Sequence, residues 1–190
     1  MAKNLLVVLY AGVADWEVSF PLFCLHPKIQ TEFASIGPGR IKTAMGFESD
    51  AEVKTLRHVS VSDFDGVYLP GGVDAATGRF PRSLAENEEI KKTLRDFWQQ
   101  GKVVAAICGA PLVLGAAGLL KGKRFACDIT DDTHGWFEGA LRAEQPIAVD
   151  GKILTGSVQA IISFSVELAR LLGDEATARD IRDFFAVDYS

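Results

Sequence analysis

Val103-Val104-Ala105-Ala106-Ile107 is apolar at every position, and so is the run from Leu5 to Leu9. A strand with one wet face alternates apolar and polar residues. A strand that is apolar throughout must be covered on both faces, as in a parallel sheet sandwiched between helices. Gly66-Val67-Tyr68-Leu69 is a third such run, stopped by Pro70-Gly71-Gly72, and Phe33-Ala34-Ser35-Ile36 is a shorter one closed by Gly37-Pro38-Gly39. Between them Glu86 to Gln100 carries Ile90, Leu94 and Phe97 at helical spacing, with Gly101 just past its end. Ala160 to Leu172 repeats the pattern with Ile161, Phe164, Leu168 and Leu172, and Asp174 is placed to cap a last helix running to Phe185. Strands alternating with helices imply right-handed crossovers and an α/β fold with an open, mostly parallel sheet. Two ribbons are expected as additions to that sheet: Ile41 to Thr55 with Gly46 near its turn, and Ile147 to Leu154 with Asp150-Gly151 as its turn.

The 190 residues suit one domain spanning 1–190, and 48 % apolar with 24 % charged residues is an ordinary globular balance. A net charge of −5 and the lack of any Lys/Arg run argue against a nucleic-acid surface. No apolar stretch is long enough to span a bilayer, and the first strand is too short for a signal-peptide core. The expected location is therefore the cytosol, where Cys24, Cys108 and Cys127 stay reduced. Their spacing offers no C-x-x-C pair. Carboxylates at Asp128, Asp131 and Asp132 have no His or Cys set to complete a metal site and read as a solvated loop. Neither a metal nor a cofactor is expected.

In open α/β sheets, ligands bind beyond the carboxyl ends of the strands. Three features fall there. In Ala106-Ile107-Cys108-Gly109-Ala110-Pro111 a buried strand stops at Cys108, small neighbours allow a sharp turn, and Pro111 suits the first turn of a helix. This is the pattern of a nucleophile elbow with sulfur in place of oxygen, and a nearby helix N-terminus is expected to lower the Cys108 pKa. Leu69-Pro70-Gly71-Gly72 is a turn able to offer a free N–H, so Gly72 and Gly109 are the expected oxyanion donors. Asp15-Trp16-Glu17 follows the first strand. Asp15 is placed to cap the helix that starts there, and Glu17 would set a carboxyl of raised pKa beside the thiol.

These pieces, in this order, resemble the ThiJ/PfpI superfamily, the group that contains the parkinsonism-associated protein deglycase. The likeness covers nearly the whole chain, from the Leu-Leu-Val-Val-Leu start to Asp150-Gly151-Lys152-Ile153-Leu154-Thr155-Gly156. It implies a flavodoxin-like three-layer sandwich, a strained elbow cysteine at Cys108 contacted by the carboxyl of Glu17, oxyanion donors at Gly72 and Gly109, and a homodimer. The departures narrow the chemistry. Gly109 stands where the protease-like branch has His and the isocyanide hydratase branch has Thr. Ala106, Ala110 and the absence of a His-x-Glu set aside the glutamine amidotransferases. Ala126, Cys127 and Asp128 occupy the region where some deglycase-type members carry a His.

The expected function is therefore a cysteine-dependent enzyme acting on small reactive carbonyls through a hemithioacetal, glyoxalase- or deglycase-like. The alternatives are a redox-responsive protein whose Cys108 oxidises to sulfinate, and a hydratase or hydrolase using the same thiol. His134, in the loop Asp131-Asp132-Thr133-His134-Gly135-Trp136, is a possible auxiliary, and Cys127 a possible resolving thiol. His26 and His58 read as structural or surface residues.

Overall fold

The computed structural model describes residues 3–49, 53–132 and 134–185. Its strands in chain order are β1 (Lys3–Leu9), β2 (Ile29–Ser35), β3 (Gly66–Leu69), β4 (Val103–Ile107), β5 (Arg124–Phe125), β6 (Leu141–Arg142), β7 (Ile147–Asp150) and β8 (Ile153–Gly156). Its helices are α1 (Asp15–Leu25), α2 (Ser83–Glu86), α3 (Glu88–Gln99), α4 (Pro111–Ala116), α5 (Ile161–Leu171) and α6 (Glu175–Phe184). One sheet runs β2-β1-β3-β4-β8-β7, parallel at every junction except β7 against β8, while β5 and β6 form a small parallel pair apart from it.

The unbroken apolar runs follow from this layering. Every residue of β3 and β4 is buried. Successive side chains of a strand point to opposite faces. Leu6, Val8, Val67, Leu69, Val104 and Ala106 thus pack with Ile90, Leu94 and Phe97 of α3 and with Leu112 to Leu114 of α4. Leu5, Val7, Tyr68, Ala105 and Ile107 pack on the other face with Phe164 and Leu168 of α5 and Ala178 and Ile181 of α6. The result is the expected three-layer sandwich. Its central strands end together at residues 69 and 107, so the segments that follow them meet at one edge.

Several expectations shift in detail. β2 begins at Ile29 rather than Phe33, because Gln30, Thr31 and Glu32 belong to an edge strand and hide it from an apolar pattern. The helix expected from Glu86 to Gln100 is two, since the Asn87 side chain accepts from Glu89 N (3.0 Å) and Ile90 N (3.1 Å) and restarts the helix. Asp174 caps α6 as expected, accepting from Thr177 N at 2.9 Å. The Asp150-Gly151 turn is present, with Gly151 at φ 62°, but β8 is no addition: it lies inside the sheet beside β4, and of the two hairpin strands only β7 is an edge. In the ribbon from Ile41 to Thr55, Lys42 pairs with Glu48 around Gly46 and Thr55 bridges to Ser35, while residues 50–52 lie outside the described residues.

Asn87 Oδ1 accepts from two of the orphan N–H groups at the α3 start, so Asn87→Ala is expected to lower the unfolding free energy by about 1 kcal/mol. Urea denaturation checks this as a lower midpoint at unchanged slope; an unchanged midpoint would show that the cap is not needed.

Candidate active site

β4 reaches α4 through only Cys108, Gly109 and Ala110. The chain turns there by placing Cys108 at φ 62°, the one non-glycine residue in the left-handed region among the described residues. A side chain in that region is strained by roughly 1–3 kcal/mol and persists only where its surroundings fix it. Cys108 N donates to Gly156 O at 2.8 Å, and Cys108 O accepts from Asp128 N at 2.9 Å and from the Cys127 thiol at 3.3 Å. Gly109 must lack a side chain, because a Cβ there would come within 2.5 Å of the Phe80 ring.

Glu17 lies in the first turns of α1 and is 3 % exposed. Its Oε2 accepts from Gly71 N at 2.7 Å. Gly71 is the contact point of the whole site: a Cβ on it would lie 2.5 Å from Glu17 Oε2 and 2.7 Å from Cys108 Cβ. Only a glycine lets the thiol and the carboxyl meet across this turn. Two buried tyrosines pin the parts. Tyr68 Oη donates to Glu17 O at 2.7 Å, and Tyr10 Oη donates to Pro70 O at 2.9 Å.

Burial pushes the Glu17 carboxyl up to about 7, although hydrogen bonds from Gly71 N–H and with the Cys108 thiol hold it down in part. Cys108 does not follow the expected direction. Its pKa is pushed far up, first by burial and then by the charges of Glu17 and Asp128, with the Gly109 N–H opposing. The reason is structural: α4 begins only at Pro111, has Ala110 as its N-cap and is a single short stretch, while two carboxylates face the sulfur. At neutral pH the thiol therefore keeps its proton while the Glu17 carboxyl is about half ionised, so Glu17 is the group that titrates first.

The site opens into a cleft of ≈ 430 Å³, whose walls include Gly72, Arg79, Phe80, Arg82, Gly109 and Asp128. The N–H groups of Gly72 and Gly109 face no backbone carbonyl acceptor among the described residues. Asp128, expected to be merely solvated, hydrogen-bonds with the thiol and is held by Val158 N at 2.9 Å. The segment around Arg79 and Phe80 carries no motif, and only folding brings it over the elbow.

The remaining candidates sit elsewhere. His134 stacks on Trp136 with ring centroids 4.3 Å apart and is not part of the cleft wall. Cys127 is buried, and its sulfur bonds the Cys108 carbonyl and Ile129 N, so it shapes the elbow. Cys24 is half-buried beside Ser165, its thiol pushed up to about 11. Asp15 does not cap α1; Ala14 is the N-cap, and Asp15 Oδ2 instead accepts from Met45 N at 3.0 Å. His58 is structural, its Nδ1 lying 2.8 Å from Thr55 Oγ1. Among the described residues no group of three His, Cys, Asp or Glu side chains is arranged to hold a metal, and no helix is long and apolar enough to cross a membrane.

The sequence profile of the DJ-1/PfpI family matches residues 3–171. The chain is 34 % identical over 140 residues to "Deglycase PfpI" of Pyrococcus furiosus, covering 72 % of this chain and 79 % of that one. It is 29 % identical over 180 residues to "Protein/nucleic acid deglycase 2" of Escherichia coli, covering 91 % and 99 %. Among solved structures it superposes on DJ-1beta of Drosophila melanogaster with a TM-score of 0.81 at 24 % identity, covering all of both chains.

The raised Glu17 pKa has a consequence for stability. Below about 4.5 the carboxyl is protonated in both folded and unfolded chains; between about 4.5 and about 7 only the unfolded chain ionises. Stability at this group therefore falls as pH rises through that window and is flat above it, by on the order of 3 kcal/mol in all. Glu17→Gln, neutral at every pH and still able to accept from Gly71 N, removes the slope. The check is the difference in unfolding free energy between variant and wild type: the variant gains relative stability from pH 5 to pH 8, and equal pH slopes would disprove a raised carboxyl.

Proposed function

The chain belongs to the DJ-1/PfpI family, and on that footing we propose that it is a cysteine-dependent enzyme converting small α-oxoaldehydes to α-hydroxy acids, glyoxalase- or deglycase-like, in the cytosol. The observation that carries this reading is the contact of a thiol and a high-pKa carboxyl across Gly71, beside a Gly72 N–H that meets no backbone acceptor among the described residues and a Gly109 N–H that points at the sulfur. The names of the relatives point the same way: both of those described above are called deglycases.

Glu17 takes the thiol proton as the Cys108 sulfur bonds to the aldehyde carbon, and the carbonyl electron pair moves to oxygen. The Gly72 and Gly109 N–H groups stabilise that oxyanion until it is protonated as a hemithioacetal. Glu17 then carries the proton from the former aldehyde carbon to the adjacent carbonyl carbon through an enediol, leaving a thioester of the α-hydroxy acid. Water hydrolyses the thioester and returns the thiol. The net change is the addition of one water, with no oxidant or reductant. A thiol with a high pKa suits this route, because a neighbouring base removes its proton during attack and no free thiolate need accumulate.

A second copy of this chain is the partner that fits its surface. Trp16 and Phe23, seven residues apart on α1, share one helix face and are 45 % and 68 % exposed. Met45 and Phe47, 71 % and 66 % exposed, belong to the ribbon that Asp15 ties to the same helix. Exposed aromatics gathered in this way mark an interface more often than a wet surface.

Cys108→Ala is expected to abolish methylglyoxal turnover, and Glu17→Gln to lower kcat/KM by about 10²–10⁴. Wild-type kcat/KM should rise with pH through about 7, since Glu17 must be ionised to accept the proton, and Glu17→Gln should lose that limb. Turnover that survives Cys108→Ala would end this reading. Sedimentation velocity tests the partner: the wild type should be a dimer at micromolar concentration and Phe23→Glu with Phe47→Glu a monomer, whereas a monomeric wild type excludes it.

A further inference from the structure

Among the described residues, the wall of the cleft over Cys108 contains one uncommitted cation. Arg79 is part of the cleft wall along with Cys108, Gly72 and Gly109. Its guanidinium makes no ion pair or hydrogen bond with another described residue. Arg82, the second cation of the wall, is already engaged: its Nη2 lies 2.8 Å from Asp131 Oδ2 and 2.9 Å from Asp131 O. The carboxylates nearby are engaged as well. Asp131 holds Arg82, Asp128 takes the Val158 N–H, and Glu17 takes the Gly71 N–H.

Arg79 is also fixed in place by its backbone. Asp74 N donates to Arg79 O at 2.8 Å, and Gly78 N donates to Asp74 O at 2.8 Å, closing the loop that carries it. The next residue, Phe80, is buried against the elbow at Gly109. Arg79 is thus one residue from a direct contact with the nucleophile's turn, and its charge meets no partner among the described residues.

We propose that Arg79 binds a carboxylate on the substrate, so that the preferred substrates are α-oxoaldehydes carrying a carboxylate tail. The assignment rests on the carbonyl chemistry argued for Cys108. A guanidinium presents a planar fork that matches a carboxylate with two parallel hydrogen bonds. A singly charged carboxylate fits better than a doubly charged phosphate, because Asp128 and Asp131 stand in the same cleft and repel the second charge. The product is then a dicarboxylate whose new acid group forms at the former aldehyde carbon, so the reaction that consumes it must accept an α-hydroxy dicarboxylic acid.

Two measurements decide this and separate it from the carbonyl reading. The first is the alkylation rate of Cys108 by iodoacetate and by iodoacetamide, followed by peptide mapping, in wild type, Arg79→Met and Arg79→Lys. These reagents are nearly the same size and differ chiefly in charge, and comparing their rate ratio between variants cancels their different intrinsic reactivities. Arg79→Met should lower the iodoacetate-to-iodoacetamide rate ratio about tenfold, the size expected for losing a charge-assisted hydrogen bond, and Arg79→Lys should keep most of it. The second is kcat/KM for methylglyoxal and for methylglyoxal extended by a carboxymethyl group, where the preference for the extended compound should fall about tenfold in Arg79→Met. A rate ratio that Arg79→Met leaves unchanged overturns the Arg79 assignment, whether or not the protein turns over carbonyls. A wild type that turns over neither compound overturns the substrate class along with the carbonyl reading, and a shifted alkylation ratio in that case still supports Arg79 as the carboxylate site.

Discussion

A carboxyl, a thiol and a main-chain turn meet at residue 71, in a space that admits no carbon beyond Cα. That close approach governs the rest of the site. It buries Glu17, which raises the carboxyl to about 7, and it brings that carboxyl onto the sulfur, which keeps the thiol protonated until a base removes its proton. Tyr68 holds the carboxyl's helix, and Tyr10 holds the turn. Any side chain at position 71 would separate the pair, with the backbone still able to form the sheet around it.

The sheet supports this contact by supplying strain and the means to hold it. A cysteine at φ 62° is unfavourable by roughly 1–3 kcal/mol. Three hydrogen bonds to its own N–H and C=O, worth about 0.5–1.5 kcal/mol each, offset that strain. One comes from β8, the neighbour of β4. The other two come from Cys127 and Asp128, which follow β5. The small β5–β6 pair thus bears on the elbow although it stands outside the main sheet.

The charge pattern around the sulfur then selects a kind of chemistry. Among the described residues two carboxylates and no histidine face Cys108. Such a site is poorly suited to holding a resting thiolate and well suited to moving a single proton between sulfur, carboxyl and a substrate carbon. Arg79 adds the only uncommitted positive charge of the cleft wall among the described residues, and the proposed carboxylate-bearing substrate is the one that would match it.

The layered fold, the elbow and Glu17 could be read from the chain because each is a local pattern: runs apolar at every position, small residues between a strand and a proline, an acid just inside a helix. The edge strand β2, the break at Asn87 and the two-residue strands β5 and β6 escaped such a reading, since polar edges and short segments carry no periodicity. Only tertiary structure decided the direction of the Cys108 pKa, because helix position argues for a lower value and the burial and two carboxylates that reverse it come from segments far apart in sequence. It alone put Asp128 on the thiol, turned Cys127 toward a carbonyl, left His134 stacked on Trp136 and set Arg79 over the elbow. A sequence specifies which groups are available and where the chain bends; the distance between charges, on which reactivity depends, exists only once the layers have closed.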